Sequence, residues 1–345
     1  METPKRILIF NVNWLGDVLF STAAIRAVRT TYPESFIACA IPGRCYQILE
    51  GNPHVNEVII FDEKGSHRTL AGKVAFIRFL ARKKFDTVYL LHRSFSRALL
   101  CALAGIPRRI GHTSRKRAFL LTTRIEPPAR DTVHRIDYYL TVVRQAGCVD
   151  AGRNPDLHVS RHDERAAADF LEKKGVAEGE RIAVLNPGGN WMPKRWPASH
   201  WALLADRLIG EREYRVVFSG GSEDQELVRE IQGMMKHAAV AACGALTIKQ
   251  LGALTRTAQV FVTADSGPLH IAAAAGSRHI VALFGPTLPE LTGPVCDTGV
   301  TVLQKKGTCE LPCYEVGCQD NACMKRLSVD DVFAAVVKGS CGGSP

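Results

Sequence analysis

The sequence predicts an α/β protein of two doubly wound domains, each a parallel sheet with helices on both faces. Three observations carry this. At 345 residues the chain is too long for one ordinary core. Short apolar strands alternate with helical patterns through both halves, as in a parallel sheet covered on both sides. A polar stretch over residues 151–161 separates the two series and sets the expected domains at 1–155 and 156–345.

In the first half, a buried strand over residues 7–11 leads through Asn13-Trp14-Leu15-Gly16-Asp17 into a helix over 18–31 that stops before Pro33. Strands follow at 36–40, 58–61 and 87–91, with helices around 46–50, 70–83 and 96–104. In the second half, helix 163–174 precedes strand 182–185 and the loop Asn186-Pro187-Gly188-Gly189-Asn190-Trp191. Helix 198–208, strand 216–219, the loop Gly220-Gly221-Ser222, helix 225–235 and helix 248–255 come next. Strand 260–263 ends in Asp265-Ser266-Gly267-Pro268, where an alanine-rich helix starts, and a second buried strand spans 280–284. Ser328-Val-Asp-Asp331 opens a final helix with a capping-box pattern.

The Asp265 stretch is the most informative. Pro268 is tolerated in a first helical turn, and Gly267 allows close approach to the backbone. The first N–H groups of the helix then favour an anion such as a phosphate. The plainer alternative is that Asp265 or Ser266 only caps the helix.

Composition narrows the function. Hydrophobic residues make up 46% of the chain, which argues against disorder. No apolar run approaches a transmembrane span. Lys5-Arg6 precede only four apolar residues, Ile7 to Phe10, so the N-terminus reads as a first strand and a cytosolic protein is expected. The net charge of +10 has a local source: Arg108, Arg109, Arg115, Lys116, Arg117, Arg124, Arg130 and Arg135 fall within 28 residues that hold only Glu126 and Asp131 as acids. Such a field favours an anionic partner. No nucleic-acid-binding motif accompanies it, so no nucleic acid is expected. Of eleven cysteines, Cys39, Cys101 and Cys243 lie in apolar surroundings and read as core. Cys309, Cys313, Cys318 and Cys323 are close enough in sequence to hold a zinc ion, but their spacing is uneven and no His lies among them. Reduced thiols are expected, and no metal is assigned.

Several loops could carry chemistry. Asp17, at a strand-to-helix junction, could accept a proton from a hydroxyl nucleophile, or could be only the N-cap of helix 18–31. The glycines of Asn186-Pro-Gly-Gly189 could bring N–H groups to a pyrophosphate. Lys194, beside Arg195-Trp196-Pro197, could act as counter-charge to a departing phosphate. Ser219-Gly220-Gly221-Ser222-Glu223 suits a turn under a nucleotide, with Glu223 on a ribose hydroxyl, or is a plain exposed turn. The first half lacks G-x-G-x-x-G, and the chain has no Asp-x-Asp, the usual carboxylate pair for a nucleotide-bound divalent ion.

Together these motifs resemble glycosyltransferase family 9, the bacterial lipopolysaccharide heptosyltransferases. The resemblance runs in order through Asn13-Trp14-Leu15-Gly16-Asp17, Asn186-Pro-Gly-Gly189, Lys194-Arg195-Trp196-Pro197, Asp265-Ser-Gly-Pro-Leu-His270 and Phe284-Gly-Pro-Thr287. Ser94-Phe95-Ser96 and Ala104-Gly-Ile-Pro-Arg108-Arg-Ile-Gly111 look especially like its heptosyltransferase II branch. The resemblance implies a GT-B fold of two facing Rossmann-like domains, acceptor on the first and nucleotide-sugar on the second. It implies metal-independent, inverting transfer of L-glycero-D-manno-heptose from ADP-heptose to the lipopolysaccharide inner core, with a lipid A–Kdo–heptose acceptor.

By that resemblance Asp17 matches the general base, Lys194 the phosphate contact and Asp265 the contact to the donor sugar, with the amides of Ser266, Gly267 and Leu269 on the pyrophosphate. Asn186, Gly188, Gly189, Ser219, Gly221, Glu223, Leu246 and His270 complete the expected donor set. The acceptor set is Asn13, Trp14, Gly16, Arg93, Arg97, Arg108, Arg109, Arg115 and Arg117, the arginines meeting phosphates or Kdo carboxylates and holding the enzyme at the inner face of the cytoplasmic membrane. The segment 309–323 resembles a cysteine-bearing insertion of some family members but lacks its histidine. Rival readings are a family member moving another sugar, a double-Rossmann nucleotide-sugar epimerase, and a non-catalytic binding module.

Overall fold

The computed structural model describes residues 3–305, 307 and 309–341, and divides into two compact units, Met1–His158 and Val159–Pro345. In the first, strand β1 (Arg6–Phe10) leads to helix α1 (Leu15–Thr31), β2 (Phe36–Ile41) and α2 (Tyr46–Leu49). Then come β3 (Glu57–Ile60), α3 (Leu70–Lys83), β4 (Thr87–Leu90) and α4 (Phe95–Leu103). The unit closes with β5 (Arg108–His112), β6 (Thr123–Ile125) and α5 (Arg135–Gln145). Its six strands are all parallel, in the order β3-β2-β1-β4-β5-β6.

The second unit begins with α6 (Arg161–Lys173), β7 (Ile182–Asn186), α7 (Ala198–Arg212) and β8 (Arg215–Phe218). After α8 (Gln225–Met234), β9 (Val240–Ala241) and α9 (Ile248–Thr257) come β10 (Val260–Ala264), α10 (Gly267–Ala275) and β11 (His279–Phe284). The chain continues through α11 (Pro289–Thr292), β12 (Gly299–Gln304), α12 (Ala322–Lys325) and α13 (Val329–Cys341). Its parallel sheet runs β12-β11-β10-β7-β8-β9.

The apolar strands explain why both faces of this sheet are covered. Side chains alternate along a strand, so Ala183 and Leu185 of β7 enter one cluster with Trp201, Leu204 and Leu208 of α7 and Val332, Phe333 and Val336 of α13. Ile182 and Val184 enter the other, with Leu171 of α6, Leu254 of α9 and Leu269 of α10. Each fully buried aliphatic side chain stabilises the fold by about 1.5–3 kcal/mol. Ser328 and Asp331 do form the expected capping box: each backbone N–H donates to the other's side chain at 3.1 Å.

Several elements differ from the sequence reading. Helix α1 starts at Leu15 rather than 18, which puts Gly16 and Asp17 inside its first turn. Strand β5, Arg-Arg-Ile-Gly-His, gives no apolar run because its arginines satisfy polar groups at its edge, and so it reads only as charge. Helix α5 and strands β6, β9 and β12 were likewise not anticipated.

Candidate active site

In a doubly wound sheet, ligands collect outside the carboxyl ends of the strands where the strand order reverses. In the second unit that point lies between β7 and β10. The loops leaving these strands enclose a cleft of about 180 Å³ lined by Gly188, Gly189, Trp191, Lys194, Arg195, Asp265, Ser266 and Gly267.

Asp265 organises it. The carboxylate is buried, and its Oδ2 accepts from the Lys194 ammonium at 2.7 Å, the Thr287 hydroxyl at 2.6 Å and the Thr292 hydroxyl at 3.1 Å. His270 Nε2 stands 3.7 Å from Oδ1. Burial by itself would raise this carboxyl's pKa, but hydrogen bonding from His270 and the Lys194 charge outweigh it and hold the group well below the usual carboxylate range. The ion pair fixes Lys194 on the cleft wall, where its Nζ also lies 5.2 Å from the centre of the Trp191 ring.

Helix α10 leaves its N-terminus open to the cleft. Ser266 takes the N-cap position in extended conformation and makes no side-chain cap bond, so the capping alternative does not hold. Among the described residues, the N–H groups of Ser266 and Gly267 have no acceptor, whereas that of Leu269 donates to the Ser266 carbonyl at 3.1 Å. Leu269 therefore leaves the expected anion-binding set: its amide is used and its side chain is core. Two further polar atoms, Ser266 Oγ and Trp191 Nε1, are buried on residues lining the cleft without a partner. Buried polar groups are rarely left so, and both atoms border the open N-terminus of α10.

The glycines have distinct reasons. Gly189 has φ +146°, which a side chain would strain. A Cβ on Gly188 would lie 2.3 Å from the Asp224 carboxylate. Asp224 is buried, accepts from the Gly221 N–H at 3.0 Å and stands 3.8 Å from Arg195. It ties together the loops that follow β7 and β8. Asn186 and Ser219 are structural rather than ligand-facing: the Asn186 amide donates to the Ser219 carbonyl at 3.0 Å and hydroxyl at 3.2 Å, bracing one strand end against the next. Glu223, exposed, and Leu246, half-buried against the core, do not line the cleft.

In the first unit the strand order reverses between β1 and β4. Asp17, half-buried in the first turn of α1, accepts from the Tyr139 hydroxyl at 2.7 Å. The N-cap is Trp14, so Asp17 is not the cap. A first-turn carboxylate is favoured by the helix dipole, and Tyr139 fixes its orientation. Burial, and next the Asp17 charge, hold the Tyr139 phenol protonated far above its usual range, so it only donates. Trp14 is 62% exposed, with the Arg44 guanidinium 4.9 Å from its ring centre. Asn13, Trp14, Arg44, Phe61, Glu63 and Lys64 line a cleft of about 350 Å³ beside it.

The expected acceptor arginines part company. Arg97 is buried and donates to the Asn11 carbonyl, the Asn13 side chain and, at 2.7 Å, Glu63. Arg117 is buried and donates to the carbonyls of His112 at 2.9 Å and His92 at 2.7 Å, and burial pushes its pKa down to about 10. Both are struts for loops. Arg108 and Arg109 begin β5, at the amino end of the sheet, where Arg108 bonds Thr87 at 2.9 Å and Arg109 the Leu120 carbonyl at 2.6 Å. In the structure these four bond to the scaffold rather than standing free at the carboxyl edge. Arg93 and Arg115 stay exposed beyond the carboxyl ends of β4 and β5.

Cys39, Cys101 and Cys243 are buried, as read. Cys309 is exposed and Cys313, Cys318 and Cys323 are half-buried; among the described residues no three His, Cys, Asp or Glu side chains are disposed to hold a metal. The segment instead braces the cleft. The Cys313 N–H donates to the Pro286 carbonyl at 2.8 Å, and the Asn321 amide to the Arg195 carbonyl at 2.8 Å.

Two parallel six-stranded sheets with flanking helices, each with polar loops at its strand-order reversal, define a GT-B glycosyltransferase. Residues 73–322 match the family model "Glycosyltransferase family 9 (heptosyltransferase)", and the chain belongs to that family. Lipopolysaccharide heptosyltransferase 2 of Salmonella typhimurium is 30% identical over 309 residues, covering 84% of this chain and 85% of that protein. The crystal structure of a family 9 glycosyltransferase from Veillonella parvula superposes with a TM-score of 0.91 at 27% identity, over 99% of both chains. The structure of ADP-heptose lipopolysaccharide heptosyltransferase II of E. coli does so at 0.81 and 25% identity, over 98% of this chain and 99% of that one.

Proposed function

We propose that this glycosyltransferase moves L-glycero-D-manno-heptose from ADP-heptose to a heptose-bearing lipid A–Kdo acceptor of the lipopolysaccharide inner core, with inversion. The observation that carries the reading is the Asp265–Lys194 pair beside the open N-terminus of α10, a site built for a diphosphate and a sugar. The heptosyltransferase 2 names of the relatives supply the sugar and the acceptor class.

The second unit is assigned the donor. The free N–H groups of Ser266 and Gly267 take pyrophosphate oxygens, and Lys194 neutralises charge as ADP departs. Asp265 holds Lys194 and turns its remaining oxygen, Oδ1, toward the sugar beside His270. The first unit is assigned the acceptor. Asp17 accepts the proton of the attacking hydroxyl, Tyr139 keeps its carboxylate aimed, and Arg93 and Arg115 attract acceptor phosphates or carboxylates. No divalent ion takes part, since Lys194 and the helix terminus supply the positive charge. The enzyme works in the cytoplasm at the inner face of the membrane; no helix among the described residues is long and apolar enough to cross it.

The test is incubation with ADP-heptose and Kdo2-lipid A bearing one heptose, in EDTA, reading released ADP and acceptor mass. One added heptose per ADP is expected. Isomerised donor without ADP release indicates an epimerase, transfer only after magnesium is restored overturns the metal-free mechanism, and ligand binding without turnover indicates a binding module.

A further inference from the structure

Two large apolar side chains of the first unit stand in water without a role in the chemistry above. Phe119 is 69% exposed and Phe95 is 43% exposed, and their ring centres lie 6.3 Å apart. They come from different segments, Phe95 opening α4 and Phe119 in the turn between β5 and β6, held together by the buried Arg117. Its guanidinium donates to the carbonyls of His92 and His112, and also reaches that of Ser94 at 3.4 Å. This lashes the segment carrying Arg93 and Phe95 to the segment carrying Arg115, Lys116 and Phe119.

The rim of this aromatic pair is cationic. Arg93, Arg115 and Lys116 are exposed, and none of them forms an ion pair among the described residues. The sequence from residue 87 to residue 125 contains no Asp or Glu. Two exposed aromatic rings ringed by unpaired cations, with no acid to repel phosphate, match an interface where apolar chains lie beneath anionic headgroups. A protein partner of ordinary composition would leave these cations unmatched.

We infer that Phe95 and Phe119 form a wedge that enters an anionic bilayer, while Arg93, Arg115 and Lys116 hold the headgroups around it. This rests on, and sharpens, the membrane-surface part of the function proposed above. Both segments follow the carboxyl ends of strands, β4 and β5, the same edge of the sheet from which Asp17 projects. A lipid-borne acceptor is then met where its headgroup lies.

The experiment is sedimentation of the full chain with vesicles of phosphatidylcholine alone and of phosphatidylcholine with phosphatidylglycerol. Binding to the anionic vesicles that weakens with salt, and weak binding to the neutral ones, is expected. The double variant Phe95→Ser, Phe119→Ser should bind anionic vesicles about tenfold or more weakly. It should remain folded by circular dichroism, since neither ring is buried, and should transfer sugar to a deacylated, water-soluble acceptor at the wild-type rate. Arg115→Gln with Lys116→Gln should flatten the salt dependence. Wild-type affinity in the phenylalanine double variant, or equal binding to neutral and anionic vesicles, overturns the inference. Vesicle binding is read without any sugar, so a chain that transfers no heptose yet shows the predicted vesicle behaviour refutes the heptosyl reading and keeps the wedge.

Discussion

Two carboxylates of different character divide the work. Asp17 is half-buried and held by one phenol, while Asp265 is buried and held by an ammonium and two threonine hydroxyls. In the proposed mechanism the first receives the proton of the acceptor hydroxyl, and the second anchors Lys194. Tyr139→Phe removes a hydrogen bond to a charged group, ~1.5 kcal/mol, so kcat should fall about tenfold with the donor KM unchanged. A purely structural Tyr139 would instead lower the melting temperature and leave kcat alone; steady-state kinetics with thermal unfolding separate the two. Lys194→Met leaves a buried carboxylate without its cation. Because Lys194 reaches water, the loss of stability should be about 2 kcal/mol, below the range for a fully buried pair, and ADP affinity should fall with it. Calorimetric titration and denaturant unfolding read both. The sequence made Asp17, Lys194 and Asp265 visible because each lies between an apolar strand and the body of the helix that follows it. Tyr139, Asp224, Thr287 and Thr292 acquire their roles only through contacts far along the chain, and no local pattern announced those roles.

At the scale of elements, the loops after β7, β8 and β10 are clamped to one another, and their glycines are where the clamp is tightest. Gly188→Ala would drive a methyl group against the Asp224 carboxylate. Overpacking of this kind costs about 1–3 kcal/mol, and the displaced loop should lose donor binding along with stability, as thermal unfolding with and without ADP would show. A variant that melts like the wild type and binds ADP normally would contradict this account of the cleft. Alternation of apolar strands and helices gave the order of most elements. It failed at β5, where two arginines lead the strand, and at α1, whose first turn contains the glycine and the carboxylate that read as loop. The dense basic run likewise read as one surface patch. Folding splits it: Arg117 spends its charge inside on carbonyls, while Arg115 and Lys116 remain outside.

Across the whole molecule, the histidines set the acid limit of stability. Burial lowers the pKa of His54, His67, His92, His112, His200 and His279, and His92, with Arg97 nearby, comes down to about 4. Above the unfolded value of about 6.5 these rings are neutral in both states and stability is unaffected. As pH falls from there, the unfolded chain binds protons that the folded chain refuses, so stability is lost between about 6.5 and about 4. The melting temperature should drop by several degrees from pH 7 to pH 5, and His92→Asn should flatten that slope. Asp265 acts in the same direction only at lower pH, below the unfolded carboxylate range. We propose that the first unit activates the acceptor while the second holds the donor. The most direct test is Asp17→Asn, with turnover on the heptose-bearing acceptor and affinity for ADP measured side by side. Turnover should fall about a thousandfold or more with ADP affinity unchanged; turnover within about tenfold of wild type would rule out Asp17 as the base.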